Sequence, residues 1–151
     1  KKKRPFTTDL EIDIEAYAPD DYISVQSERM DFYQQLASCK AVEDVEKTRS
    51  QLQEIYGAIP RQVDNLLKIA KLKLLAHNAK VCKVSVKPGR GEITFVERDA
   101  MFNKKVFDAL AESGDRVSAS SSGYSIVFAS TDYLQKSRLL QAIEDFLVKL
   151  Q

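Results

Sequence analysis

The chain has 151 residues, one domain's worth and enough to bury a core, and its 44% hydrophobic and 30% charged content is that of an ordinary globular domain. Its 23 basic residues nearly cancel its 22 acidic ones, which argues against a dedicated nucleic-acid module, because phosphate neutralisation calls for a clear basic excess. No apolar run is long enough to cross a bilayer, and no apolar stretch follows the basic start Lys1-Lys2-Lys3-Arg4 as it would in a signal peptide, so no membrane partner is expected.

The chain opens on Lys1 rather than Met, so its first residue is expected to be either an artificial boundary or a cleavage product. Residues from about Thr8 to Ile14 alternate weakly, with Leu10, Ile12 and Ile14 on one side, and read as a strand. Pro19-Asp20-Asp21 ends it in a turn. A first helix follows, with Val25, Phe32, Leu36 and Cys39 on one stripe, Tyr33 flanking it, and Asp31, Gln34 and Gln35 facing away. Ser24 or Ser27 is expected to cap its start. A second helix runs from about Val42 to Tyr56. Val42, Val45, Leu52 and Tyr56 form its inner stripe, while Glu43, Lys47, Ser50 and Glu54 share its outer face. Gly57 ends it as a C-cap glycine.

A third helix begins near Pro60, a good first-turn residue, and continues to about Ala79. Val63, Leu66, Leu67, Ala70 and Leu74 line one face and Ile69, Leu72 and Ala76 the other, so the helix is expected to be covered on two sides.

The period then changes from helical to alternating. Cys82, Val84 and Val86 alternate with Lys83, Ser85 and Lys87, Pro88-Gly89-Arg90-Gly91 turns, and Ile93 and Phe95 continue on a second strand. A helix from about Ala100 to Glu112 places Phe102, Val106 and Leu110 inside. Val117 and Ala119 suggest a short strand, Ser121-Ser122-Gly123 turns, and Tyr124, Ile126 and Phe128 form another strand. A final helix from about Asp132 to Leu150 has Leu140, Ile143, Leu147 and Leu150 as its seam. The expected class is α+β: a strand and about three helices, then an antiparallel sheet of about four strands with helices packed on it. Residues 1–151 are taken as a single domain, with the strand and helices in 1–80 and a β-β-α-β-β-α half in 81–151.

Residues able to carry chemistry are few and lack partners at the required spacing. Cys39 and Cys82 sit in apolar patterns and read as reduced, buried thiols, which favours the cytoplasm over an oxidising compartment. His77 has no second histidine and no cysteine pair at ligand spacing, so it reads as a partly buried structural residue. Asp20-Asp21 reads as turn chemistry before an acid–base pair or a cation site. Gly89-Arg90-Gly91 has strands on both sides, so it lacks the strand–loop–helix context of a phosphate loop. Ser120-Ser121-Ser122-Gly123 lacks nucleophile-elbow spacing. Lys68, Lys71, Lys73 and Lys80 scatter around the third helix instead of forming a stripe. Arg49 falls inside the apolar stripe of the second helix. It either snorkels past the core, the preferred reading, or pairs its guanidinium with an acidic group that sequence does not identify. No catalytic, cofactor-binding or metal-ligating set is expected.

One pattern is specific enough to name a family. Ile12-Asp13-Ile14 followed by Ala16-Tyr17-Ala18-Pro19-Asp20-Asp21-Tyr22-Ile23 resembles the opening of the C-terminal domain of the bacterial transcription-repair coupling factor family (the Mfd family, TRCF domain). Arg29 to Ser38 resembles that family's tyrosine-containing helix. Leu52-Gln53-Glu54-Ile55-Tyr56-Gly57 with Ile59-Pro60 resembles its acid-x-aromatic-Gly-x-x-Pro junction. Asn65 to Ala70 with Leu72 resembles its long helix, and Gly91 to Phe95 its hairpin. The likeness is strong through Ala79, while in the last third only element order supports it. Gln51, where an acidic residue is common, and Ser24-Val25, where a proline–acid pair is common, depart from it.

The resemblance implies a non-catalytic regulatory domain whose parent is an ATP-dependent DNA translocase that binds stalled RNA polymerase, UvrA and DNA. In that picture the domain packs on a UvrB-like N-terminal module and masks UvrA binding until polymerase is engaged. ATP belongs to the parent's motor, and this domain carries no cofactor of its own. The interdomain surface is expected at Gln51, Glu54, Tyr56 and Gly57, at the exposed end of the second helix. Two other classes stay open: an accessory DNA-binding domain of the same translocase, and an enzyme with an unfamiliar site.

Overall fold

The computed structural model describes residues 5–151; the basic run Lys1-Lys2-Lys3-Arg4 lies outside the described residues. Among the described residues there are six α-helices: α1 (Gln26–Ala37), α2 (Val42–Tyr56), α3 (Arg61–Asn78), α4 (Arg98–Met101), α5 (Lys104–Ser113) and α6 (Lys136–Lys149). The strands are β1 (Asp9–Ile12), β2 (Val81–Lys87), β3 (Arg90–Phe95), β4 (Val117–Ala119) and β5 (Ser125–Ala129), in one sheet of order β1-β2-β3-β5-β4. The class is α+β, as expected. The chain divides into two compact units: the segment through Asp13 with Leu75–Gln151, and Ile14–Leu74.

The first unit is built on the sheet. β2, β3, β5 and β4 pair antiparallel, as their alternation and short turns predict. The sheet is nevertheless mixed, because β1 adds a fifth strand parallel to β2, with Leu10 opposite Val84 and Ile12 opposite Val86. The Thr8 hydroxyl, buried, seats this edge by donating to the Val81 carbonyl at 2.8 Å. Val81, Val84 and Val86 are the buried residues of β2, in place of the expected Cys82, Val84 and Val86. A register shift between Val81 and Lys83 displaces Cys82 from the buried face, and both cysteines are free and half-buried. The turn after β2 is tighter than the four residues suggested, since Arg90 is already paired with Lys87.

Helix α6 fills the sheet face with Leu139, Leu140, Ile143, Phe146 and Leu147, all buried. Its approach needs Gly91: a Cβ there would meet Leu139 and Ile143 side-chain carbons at 3.0 Å. The Phe128 ring packs edge-on to Phe146, centroids 5.4 Å apart at 85°.

The predicted helix over 100–112 is two helices. Asn103 ends the first stretch and caps the second, its side chain accepting from the Val106 amide at 3.1 Å. The break puts Met101 inside and leaves Phe102 half exposed, against the expectation for Phe102. The final helix also starts later than expected, after a 3₁₀ turn over Thr131–Leu134. His77 is exposed rather than partly buried, and its ring stacks on Phe6 with centroids 4.4 Å apart. That contact gives it a packing role on the Phe6 ring.

The second unit is helical. Its core joins Ala18, Ile23, Phe32, Val45, Leu52, Val63 and Leu67, with Leu36, Cys39, Tyr56 and Leu66 packed against it. Pro19 turns the chain as predicted: its carbonyl accepts from the amides of Tyr22 and Ile23. Neither Ser24 nor Ser27 caps α1. The N-cap is Val25, with no side-chain bond, and Arg29 instead reaches back to the Ile23 carbonyl at 2.7 Å. Residues on both expected stripes of α3 are buried, Val63 and Leu67 on one, Leu72 and Ala76 on the other.

Gly57 ends α2 with φ +89° and ψ −156°, a conformation nearly restricted to glycine. A Cβ there would meet nothing within 4 Å, so Gly57→Ala should cost backbone strain alone. We expect a loss on the order of 1 kcal/mol, read as a lowered urea midpoint.

Candidate protein interface

The end of α2 is assembled from its neighbours. The Tyr22 hydroxyl is 2.9 Å from the Gly57 carbonyl and 3.3 Å from the Leu52 carbonyl, so a side chain satisfies the Gly57 acceptor just past the helix end. Burial raises the Tyr22 hydroxyl above its ordinary range, so it stays a donor at neutral pH. The Tyr56 ring lies 5.7 Å from that of Tyr22, and its hydroxyl donates to Glu28 of α1 at 3.1 Å. Burial, then the Glu28 carboxylate, raises the Tyr56 hydroxyl likewise.

The outer face of α2 is different in kind. Val42, Glu43, Glu46, Lys47, Ser50, Gln51 and Glu54 line a shallow, open groove along the helix. Spacings of three and four put these residues on one side of the helix. The side chains of Glu43, Lys47, Ser50 and Glu54 are exposed, as the helical period predicts. Of the four residues proposed from sequence, Gln51 and Glu54 share this groove. Tyr56 and Gly57 belong to the helix-end cluster with Tyr22 and Glu28, which secures the terminus.

Gln35 joins this surface unannounced by the sequence. The helical period puts it on the outward face of α1, yet its amide nitrogen donates to Gln51 Oε1 at 2.6 Å and to Thr48 Oγ1 at 3.3 Å. Thr48 is buried and donates its own hydroxyl hydrogen bond to the Asp44 carbonyl, 3.0 Å away. A polar Thr48 on the inner stripe between Val45 and Leu52 was the one available signal.

Arg49 overturns the preferred reading. It does not merely snorkel: its Nη1 meets Asp64 Oδ1 of α3 at 2.8 Å, and its Nε lies 3.8 Å from Glu46. Lys68 approaches the other Asp64 oxygen at 3.3 Å. Burial by itself would raise the Asp64 carboxyl, but the Arg49 and Lys68 hydrogen bonds and charges outweigh it and hold the carboxyl below its ordinary value. Among the described residues no group of three or more His, Cys, Asp or Glu is placed to hold a metal ion, and no helix is long and apolar enough to cross a membrane.

A small α+β domain whose most distinctive surface is an exposed, carboxylate-bearing helix is the class that fold and site define together. The chain belongs to the TRCF domain family, whose model matches residues 12–106. It is similar to the transcription-repair-coupling factor of Borreliella burgdorferi, 24% identical over 135 residues, covering 89% of this chain and 12% of that protein. The factor of Buchnera aphidicola is 33% identical over 88 residues, 58% of this chain and 13% of that protein. That of Escherichia coli is 29% identical over 92 residues, 61% of this chain and 8% of that protein. The chain thus spans a small part of each relative's length. Its fold is similar to the crystal structure of a C-terminal domain of transcription-repair coupling factor, with TM-score 0.81 and 24% identity, covering 96% of this chain and 92% of that one.

Proposed function

We propose that the chain is a non-catalytic, autoinhibitory C-terminal domain of a cytoplasmic transcription-repair coupling factor. It packs on the UvrB-like N-terminal module of its parent, masks UvrA binding, and restrains the ATP-driven DNA translocase until stalled RNA polymerase is engaged. Residues 1–151 act as one regulatory domain, with ATP bound only in the parent's motor. The observation that supports this reading is the outer groove of α2, where Glu43, Glu46 and Glu54 present carboxylates to solvent with Lys47 between them. Such a face complements basic groups on a partner. It also makes a contact weak enough to be displaced, which a reversible mask requires.

The test is Glu54→Arg in the full-length protein. Charge reversal at a mask contact should raise UvrA binding by about tenfold, measured by titration. Unchanged binding removes Glu54 from the contact, and unchanged binding after deletion of residues 1–151 removes the mask itself. Steep salt-dependent DNA binding by the chain would favour the accessory DNA-binding reading instead.

A further inference from the structure

We propose that Gln35 is a positioning residue that fixes which end of the Gln51 side chain faces the partner. Because this rests on the masking role, the experiment separates the two.

The direction of the network follows from its buried end. Thr48 donates its only hydroxyl proton to the Asp44 carbonyl, so its oxygen is left as an acceptor. Gln35 must therefore turn its NH₂ toward Thr48, and the same NH₂ reaches Gln51. Gln51 meets it with Oε1, at 2.6 Å. Gln51 Nε2, with two donor hydrogens, is then the end left for the partner. A rotatable surface amide becomes a donor of fixed sense, held by a hydroxyl in the core.

Gln51 and Glu54 are three residues apart on one helix face, about 5–6 Å between Cβ atoms. The pair offers a donor beside an anion. The complementary partner surface carries a lysine or arginine opposite Glu54 and a carbonyl or carboxylate oxygen opposite Gln51. A purely cationic patch would match Glu54 and clash with the donor of Gln51.

The experiment compares full-length variants in the UvrA titration. Gln35→Glu replaces the donor by an acceptor, so Gln51 must turn its NH₂ inward and present its carbonyl outward. Gln51→Glu puts an acceptor outward directly. Each should raise UvrA binding about three- to tenfold, the range of one interface hydrogen bond, while the urea midpoint of the protein stays near that of wild type. The double variant Gln35→Glu/Gln51→Glu should also raise it, with a lower midpoint from the opposed carboxylates. Domain deletion with raised binding, but single variants at wild-type binding, overturns the role of Gln35 and leaves the mask standing. Lowered binding in Gln51→Glu overturns it too, since the group opposite is then a cation. Unchanged binding on deletion overturns both.

Discussion

Phe128→Ala is expected to destabilise the sheet unit by about 3–5 kcal/mol, the range for removing a buried aromatic ring. Phe128 has no solvent exposure and lies where the sheet meets α6, edge-on to Phe146. Truncation removes the apolar area, leaves a cavity beside Phe146, and forfeits the aromatic pair, itself about 0.5–1.5 kcal/mol. The cavity cannot collapse cheaply, because α6 is already held close to β3 over Gly91. Urea unfolding of wild type and variant checks it. A loss under about 1 kcal/mol means that this seam relaxes, and that packing against α6 does not hold the sheet.

Asp64→Ala should cost about 2–3 kcal/mol in the helical unit, more than an ordinary surface ion pair. The side chains of Arg49 and Asp64 are 28% and 29% exposed, so the pair is largely withdrawn from water, and among the described residues the variant leaves Arg49 the 3.8 Å contact to Glu46. The effect depends on pH in a fixed sense. The folded Asp64 carboxyl lies below its ordinary 3.8, so the stabilisation is present in full above that value and is lost as pH falls through the lowered one. The stability gap between wild type and Asp64→Ala should therefore shrink on acidification toward that lowered value. A gap that stays constant assigns the loss to packing instead. Arg49→Met with Asp64→Leu should recover most of the stability, since an apolar pair of similar volume removes the charge that truncation strands.

The helices were legible where one apolar stripe recurs every three or four residues, and α2 matches its predicted bounds residue for residue. The break between α4 and α5 was also written in the chain, as Asn103, but the apolar spacing of Phe102, Val106 and Leu110 ran across it and suggested one helix. A capping side chain outcompeted a periodic pattern. Parallel pairing of β1 with β2 left no local trace, because its partners lie far apart in sequence and only the folded sheet brings Leu10 to Val84. Cys82 was misplaced for a similar reason: alternation assumes an unbroken register, and the irregularity at Val81–Lys83 breaks it.

The candidate surface was half readable. Glu54 and Gln51 follow from helical period, as does their exposure. Tyr56 lies on the inner stripe, and its tie to Glu28 needs α1 in place. Gln35 resembled any solvated glutamine, and only its distances to Thr48 and Gln51 distinguish it. Arg49 announced itself by an unsuitable position, yet the identity of Asp64 as its partner depends on how α2 meets α3.

The parallel partnership of β1 has a consequence for how the chain gets to its native state. Residues 13–80 form a tether whose two ends are pinned on adjacent strands, so topologically the helices are an insert within the sheet. Closing a tether of that length carries an entropic toll that grows only with the logarithm of its length, about 0.6 kcal/mol per doubling. Added residues in the insert should therefore trouble the sheet little, whereas docking of β1, which has to wait for that closure, is suited to be the last and slowest strand to join.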